Sequence, residues 1–330
     1  MWLRSIQRHL ASPASPTADL YFANACADLI QQDPSARWAS ATVFETDLAV
    51  IIFRHDAGAP LDDREHRRVI FVVDDAIFEG RRDRSLPLWY RTKLALLECE
   101  AARRILPRAD VVVASSEAVR DALPGRLLRP GTLVEIFGPH WPGNLAELSH
   151  FDRDDEIRVA YLGSKVHSRD AEFAFSVLDP IKRLDPRVRF SITSNHSIPN
   201  ELWRSGQVEL LNFTDWNNYK LNIYSRRFHI CIYPLLDSKF NLARSYNKII
   251  EHAVVGAASI YSSSWTESWR ITHQRNGVLV SNRREDWVDA LGSLISDLQK
   301  ARSIAAGAAK LADNLNNPSR QRAFWEKVLR

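Results

Sequence analysis

Cations gathered where a helix is expected to begin are the first chemically telling feature of this sequence. The stretch 241–251 reads NLARSYNKIIE, so Asn241, Arg244, Ser245, Lys248 and Glu251 fall close together. Ser245 is a good N-cap, which places Lys248 in the first turn. A helix start already carries partial positive charge and unpaired N–H groups, and acidic residues are preferred there. Arg and Lys at that place call for an outside anion. A diphosphate fits, with Arg gripping it bidentately and Lys acting as a point charge. Otherwise Arg244 and Lys248 are a solvated pair one turn apart. Glu251 stands where the helix turns apolar. A carboxylate there accepts two hydrogen bonds from a vicinal diol such as a ribose, or else pairs with Lys248 at i, i+3.

A second turn has a similar character. The apolar run IRVAYLG (157–163) leads into GSKVHSRD, where Gly163 and Ser164 permit a close backbone turn and Lys165 adds a positive charge. Such a turn suits a phosphate, or is a plain loop with a surface Lys. Asp74 and Asp75 close another apolar run, RVIFVVDD (68–75), as general-base or binding carboxylates or as a solvated turn. His140 and His167 are loop histidines, a type more often structural than functional. No HExxH, paired-Cys, GxSxG or Walker pattern occurs, so metal, hydrolase and P-loop chemistry are not expected.

These residues need elements to position them. The runs at 47–56, 68–75, 109–116 and 132–138 read as buried strands in the first half. A helix-rich stretch at 86–109 and a Ser-capped helix at 117–123 lie between them. The second half restarts, with strands at 157–163, 188–194, 208–213, 229–235, 258–263 and 276–281. Helices are expected at 170–184, 215–227, 245–256 (ending at Gly256) and 284–314, the last as one or two pieces. This alternation means βαβ units and parallel sheets. The segment GPHWPGN (138–144) breaks regular structure and marks a linker. The expected division is 1–143, 144–317 and a terminal amphipathic helix at 318–330 that braces the N-terminal domain. In open α/β sheets ligands bind outside the carboxyl ends of the strands, and in two-domain chains in the cleft between domains.

Composition limits the alternatives. At 330 residues, 45% hydrophobic and 25% charged, the chain suits two ordered α/β domains rather than a disordered chain. No apolar run is long enough to span a bilayer. The N-terminus MWLRSIQRHLASPASP has no continuous apolar core and does not read as a cleaved signal peptide. Cys26, Cys99 and Cys231 stand far apart in apolar contexts, as buried thiols in a reducing cytoplasm. A net charge of +4 is compatible with an anionic ligand, nucleic acid or lipid surface.

With these residues in view, SYNKIIEHAVVGAASIYSS closely resembles the donor-site helix of retaining glycosyltransferases of the GT-B fold. FNLARS is similar to the variant in bacterial transferases of surface-polysaccharide assembly, within the family 4-like group. FTDWNNY, HICIYPLLDS and NGVLVSNRREDWVDAL fit the same pattern, and VIFVVDDAIFE and ADVVVASSEAVRDAL are similar to its acceptor-side half. The resemblance spans most of 47–310. It implies an α/β fold of two Rossmann-like doubly wound domains facing a cleft, the N-terminal one trimmed. It also implies transfer of a sugar from a nucleotide-sugar donor to a glycan or lipid-linked acceptor, without cofactor or required metal and without nucleic acid. Lys248 and Arg244 would neutralise the diphosphate, Glu251 would bind the ribose, and Gly163–Lys165 would approach the phosphates. Relatives carry a sugar-contacting Glu eight positions before the helix Glu. Here that position is Ala243, so the contact falls to Asp237, Asn241 or backbone. The basic surface and ten Trp leave room for peripheral contact with the inner face of a membrane. A catalytically degenerate binding module for an anionic ligand is the alternative, and a sugar-nucleotide epimerase a third.

Overall fold

The computed structural model describes all residues except 1, 59–66, 143, 144, 146, 182, 184, 194, 195, 213, 214 and 330, and no side chain of residues 2–4. The chain divides into two compact units. One comprises Met1–Pro142, Ala243–Asn247 and Asn316–Arg330, the other Gly143–Leu242 and Lys248–Leu315. The boundary expected between 143 and 144 falls on residues outside those described.

The first unit holds a six-stranded sheet in sequential order. Its strands are β1 (Arg37–Ser40), β2 (Val43–Glu45), β3 (Ala49–Phe53), β4 (Arg68–Val73), β5 (Val111–Ala114) and β6 (Leu133–Ile136). β3 to β6 pair in parallel, whereas β1–β2–β3 is antiparallel. That antiparallel hairpin was not expected, because β1 is exposed along its length and offers no apolar alternation. β3, β4 and β5 are buried almost throughout, which is why they read as continuous β-branched runs. Instead of one regular helix at 86–109, the chain runs as Leu88–Lys93, a π-helical stretch Leu94–Cys99, Glu100–Ile105 and a 3-10 turn Leu106–Arg108. The terminal helix Pro318–Leu329 belongs to this unit. In it, Gln321 Nε2 donates to the carbonyls of Leu20 and Tyr21, and Trp325 Nε1 donates to Tyr21.

The second unit holds a wholly parallel sheet. Its strands are β7 (Ile157–Tyr161), β8 (Val188–Thr193), β9 (Val208–Leu211), β10 (Ile230–Tyr233), β11 (Ala258–Ser262) and β12 (Val278–Val280). Their order is β12-β11-β10-β7-β8-β9, so the winding direction reverses between β7 and β10. This is the doubly wound Rossmann order. The core joins Val159, Phe190, Ile230 and Ile260 of the sheet to Phe175, Trp287, Leu291 and Ile304 of the helices. Each such side chain contributes roughly 1.5–3 kcal/mol by leaving water. The helix after β7 runs Ser168–Ile181, with Pro180 in its last turn, and the helix after β9 runs Trp216–Ile223. Where 284–314 left one or two helices open, there are two, Arg284–Ser296 and Leu298–Leu315. No described helix is long and apolar enough to cross a membrane.

Candidate functional site

In an open α/β sheet the crevice for a ligand opens where the strand order reverses. In the second unit that point lies at the carboxyl ends of β7 and β10. The turn after β7 passes through Gly163, where a Cβ would fall 2.3 Å from the ring of Tyr161, so no larger residue fits without a shift. Its carbonyl accepts hydrogen bonds from Thr193 Oγ1 at 2.7 Å and His196 Nε2 at 3.2 Å. Ser164 and Lys165, next in the turn, are exposed.

Lys248 reaches this turn from the helix Asn247–Val254. Its Nζ donates to the Leu162 carbonyl at 2.6 Å and lies 2.5 Å from Glu251 Oε2. Glu251 is 2% exposed, and its Oε1 accepts the Tyr219 hydroxyl. Burial, and then the negative charge of Glu251, push the Tyr219 phenol well above its ordinary pKa. Tyr219 is carried by the helix Trp216–Ile223, which Asp215 caps by accepting from the Asn218 N–H.

After β10, the buried Asn241 donates through Nδ2 to both carboxylate oxygens of Asp170 at 3.0–3.1 Å. Asp170 also receives the Leu236 N–H and Nδ1 of His167. Asp237 is exposed and accepts from Asn282 Nδ2 at 2.9 Å and Ser264 Oγ at 3.0 Å. Of the expected site residues, this unit brings Lys248 and Glu251 to the Gly163 turn. Asn241 and Asp237 stand in two separate networks after β10.

Arg244 and Ser245 belong to the first unit, together with Asp74 and Asp75. Asp75 is buried between two guanidinium groups, with Oδ2 at 2.7 Å from Arg54 Nη1 and Oδ1 at 2.5 Å from Arg244 Nη1. Arg54 also contacts Asp74 at 3.1 Å and Glu98 at 2.7 Å. It follows β3 in the left-handed backbone region, at φ 65°, a conformation uncommon for a non-glycine residue and enriched at functional sites. Thr17 Oγ1 donates to Asp74 at 2.8 Å. Burial raises the pKa of Asp74 against the pull of Arg54, with Asp75 adding to the rise. Burial likewise raises that of Glu98, again opposed by Arg54. Two cations thus hold three carboxylates, and two of those carboxylates bind protons more readily than usual.

Several expectations are corrected. Ser245 is not an N-cap: the helix starts at Asn247, and Ser245 Oγ instead accepts the Tyr21 hydroxyl at 3.3 Å. Arg244 is therefore off the helix and not one turn from Lys248. The two cations do not depend on an outside anion, because Asp75 and Glu251 already face them. Asp74 and Asp75 are not a solvated turn. Ala243 is 3% exposed, with its carbonyl taken by Ser116 Oγ at 2.9 Å. Of the loop histidines, His140 is buried and His167 is paired with Asp170. The three cysteines are buried and free, and burial pushes the Cys26 and Cys99 thiols up to about 12. Among the described residues no group of three or more His, Cys, Asp or Glu is placed to hold a metal ion.

The residues not singled out from sequence are Arg54, Glu98, Tyr219 and Asp170. Arg54 had one usable signal, its place directly after a buried run at the same sheet edge as Asp74.

No protein-family model and no curated protein matches the sequence. Solved structures do. HepE of Anabaena, in complex with UDP and glucose, shares 14% identity over 80% of this chain and 71% of that chain, with a TM-score of 0.57. Sucrose-phosphate synthase of Thermosynechococcus elongatus shares 15% over 82% and 69%, with a TM-score of 0.59. A glycosyltransferase of Rickettsia africae shares 13% over 97% and 82%, with a TM-score of 0.54. At these identities the likeness establishes the fold, which is GT-B, the fold of glycosyltransferases.

Proposed function

We propose that this chain is a glycosyltransferase that moves a sugar from a nucleotide-sugar donor to a glycan or lipid-linked acceptor, with retention and without a metal. The observation that carries this is the Lys248–Glu251 pair beside the Leu162–Gly163 turn, at the switch point of the second sheet. An ammonium has three N–H donors. Glu251 and Leu162 take two of them, leaving one for a donor phosphate. Glu251 has acceptor sites beyond those used by Lys248 and Tyr219. On donor binding a ribose hydroxyl takes the place of the Tyr219 hydroxyl on Oε1. Gly163, Ser164 and Lys165 supply backbone and charge to the phosphates, and Asp237 and Asn241 are assigned to the sugar.

We assign Arg244 to the charge that develops on the departing diphosphate, with Asp75 holding its guanidinium in place. Fixed charge of this kind is usually a large part of catalysis. Asp74, raised by burial, is the acceptor-side base: a carboxylate with an elevated pKa takes a hydroxyl proton more readily. That structures of the same fold include HepE with UDP-glucose bound supports the donor class.

A thermal-shift panel of nucleotides and sugar nucleotides tests the proposal, since a ligand that binds the folded state stabilises it in proportion to the logarithm of its concentration over Kd. A nucleoside diphosphate and its sugar conjugate should both raise Tm, and Glu251→Gln should weaken both shifts. No shift with any nucleotide overturns the proposal and points instead to a binding module without transfer chemistry.

A further inference from the structure

In the first unit, the turn after the helix Ile77–Gly80 and the start of the helix Leu88–Lys93 carry an unusual surface. Leu88 is 70% exposed and Trp89 52% exposed. Single exposed apolar residues are ordinary. Among the described large apolar residues that are exposed, however, these two alone are consecutive in the chain. Their exposure is held in place from both sides. Leu86 and Tyr90 are buried, and the Tyr90 ring meets the Trp89 ring edge-on at 5.6 Å. The preceding turn is fixed by the Asp83 carbonyl, which accepts the Leu86 N–H, and by Asp83 Oδ1, which accepts the Ser85 N–H at 2.8 Å.

The stretch is basic in sequence, although Arg81, Arg91 and Lys93 are only half-exposed and Lys93 is drawn by the buried Glu98. Residues 80–93 include Arg81, Arg82, Arg84, Arg91 and Lys93 against the single carboxylate of Asp83. That surplus of four equals the formal surplus of the entire 330-residue chain. Arg82 and Arg84 are exposed. Indole rings settle at the boundary between headgroups and acyl chains, and basic side chains beside them pair with anionic headgroups. A protein partner would have to match both the apolar tip and the cations. A bilayer offers both to any protein that approaches it.

We propose that the Arg82–Trp89 segment is a membrane-docking tip, with Leu88 and Trp89 entering the interface of an anionic bilayer and Arg82 and Arg84 contacting its headgroups. The same segment is wired to the ionic cluster of this unit, because the Tyr90 hydroxyl lies 3.5 Å from Arg54 Nη2. Docking would thus fix a segment joined through Arg54 to Asp74, the carboxylate assigned above to the acceptor, though the docking itself does not depend on that assignment.

The test is co-sedimentation of the full chain with phosphatidylcholine vesicles, with and without phosphatidylglycerol. The chain should pellet with the anionic vesicles at low salt and be released at high salt. Leu88→Ser/Trp89→Ser and Arg82→Glu/Arg84→Glu should each lower the bound fraction about tenfold, with Tm and nucleotide-induced shifts unchanged. Wild-type chain that stays in the supernatant overturns the proposal. So does equal binding to neutral vesicles, or a Leu88→Ser/Trp89→Ser variant that pellets like wild type. A concentration-dependent dimer lost in that variant, without vesicle binding, overturns it in favour of self-association.

Discussion

Lys248 Nζ and Glu251 Oε2 lie 2.5 Å apart, and the carboxylate of that pair is 2% exposed. Removing one partner of a buried ion pair leaves the other charged and unpaired, at a cost of about 3 kcal/mol or more. Lys248→Ala should therefore lower stability as well as transfer, a double effect that a surface lysine would not produce. The variant Lys248→Met/Glu251→Gln removes both charges and should regain most of the stability, while kcat/KM stays about 10²–10³-fold down. Urea melts and a transfer assay on the same three proteins check this.

Arg54 ties Glu98 to Asp74 and Asp75. Arg54→Met should destabilise by about 3 kcal/mol or more at neutral pH. Without that cation the carboxylates keep their protons to higher pH in the folded state than in the unfolded one. The folded state then binds more protons, so its stability rises as pH falls. The deficit relative to wild type should shrink between pH 7 and pH 5 in denaturant melts. A deficit independent of pH would mean that Arg54 acts through packing alone.

His229, fully buried in the second unit, responds to pH in the opposite direction. Its Nδ1 accepts the Arg158 N–H at 3.1 Å and its Nε2 donates to the His150 carbonyl, so the neutral ring is the one that fits. Burial, with His150 and Arg158 adding to it, lowers its pKa from 6.5 to about 4. The unfolded chain takes up this proton near pH 6.5, while the folded chain holds it off until about pH 4. Stability from this residue is thus complete above pH 6.5 and drains away below it, by about 1.4 kcal/mol per pH unit. The advantage of wild type over His229→Asn should narrow at that slope across the window, as read from urea melts.

Gly138 is a steric requirement. A Cβ there would lie 1.9 Å from the Tyr246 hydroxyl oxygen and 2.0 Å from its ring, so Gly138→Ala must displace the Tyr246 side chain. We expect a loss of about 1–3 kcal/mol. In a double-mutant cycle with Tyr246→Ala, part of that loss should disappear, because the clashing ring is gone.

The fold was legible where burial is uniform. VIFVV and VVVA could only be strands covered on both faces, and the two rhythms of the halves matched the two sheets. The site was legible where its members are near in sequence, as with Lys248 and Glu251. It was not legible where they meet over long separations. Glu98 sits among apolar residues of a helical run and looks like its solvated face, yet it is buried against Arg54 from 44 positions away. Ser245 misled for a related reason: a hydroxyl before a helical run is a cap only if the backbone turns there, and Tyr21, far back in the chain, claims it instead. The exposed strand β1 left no periodic trace at all.

The allocation of Ala243–Asn247 and Asn316–Arg330 to the first unit bears on how this protein can be re-engineered. The chain passes from one unit to the other at 142/143, 242/243, 247/248 and 315/316. A chimera joined only at the first of these would carry a foreign version of the five residues that include Arg244, and a foreign final helix, into the native N-terminal unit. Exchanging specificity between homologues by recombination therefore calls for transplanting the pieces of each unit together, with Asp75 and Arg244 inherited from the same parent.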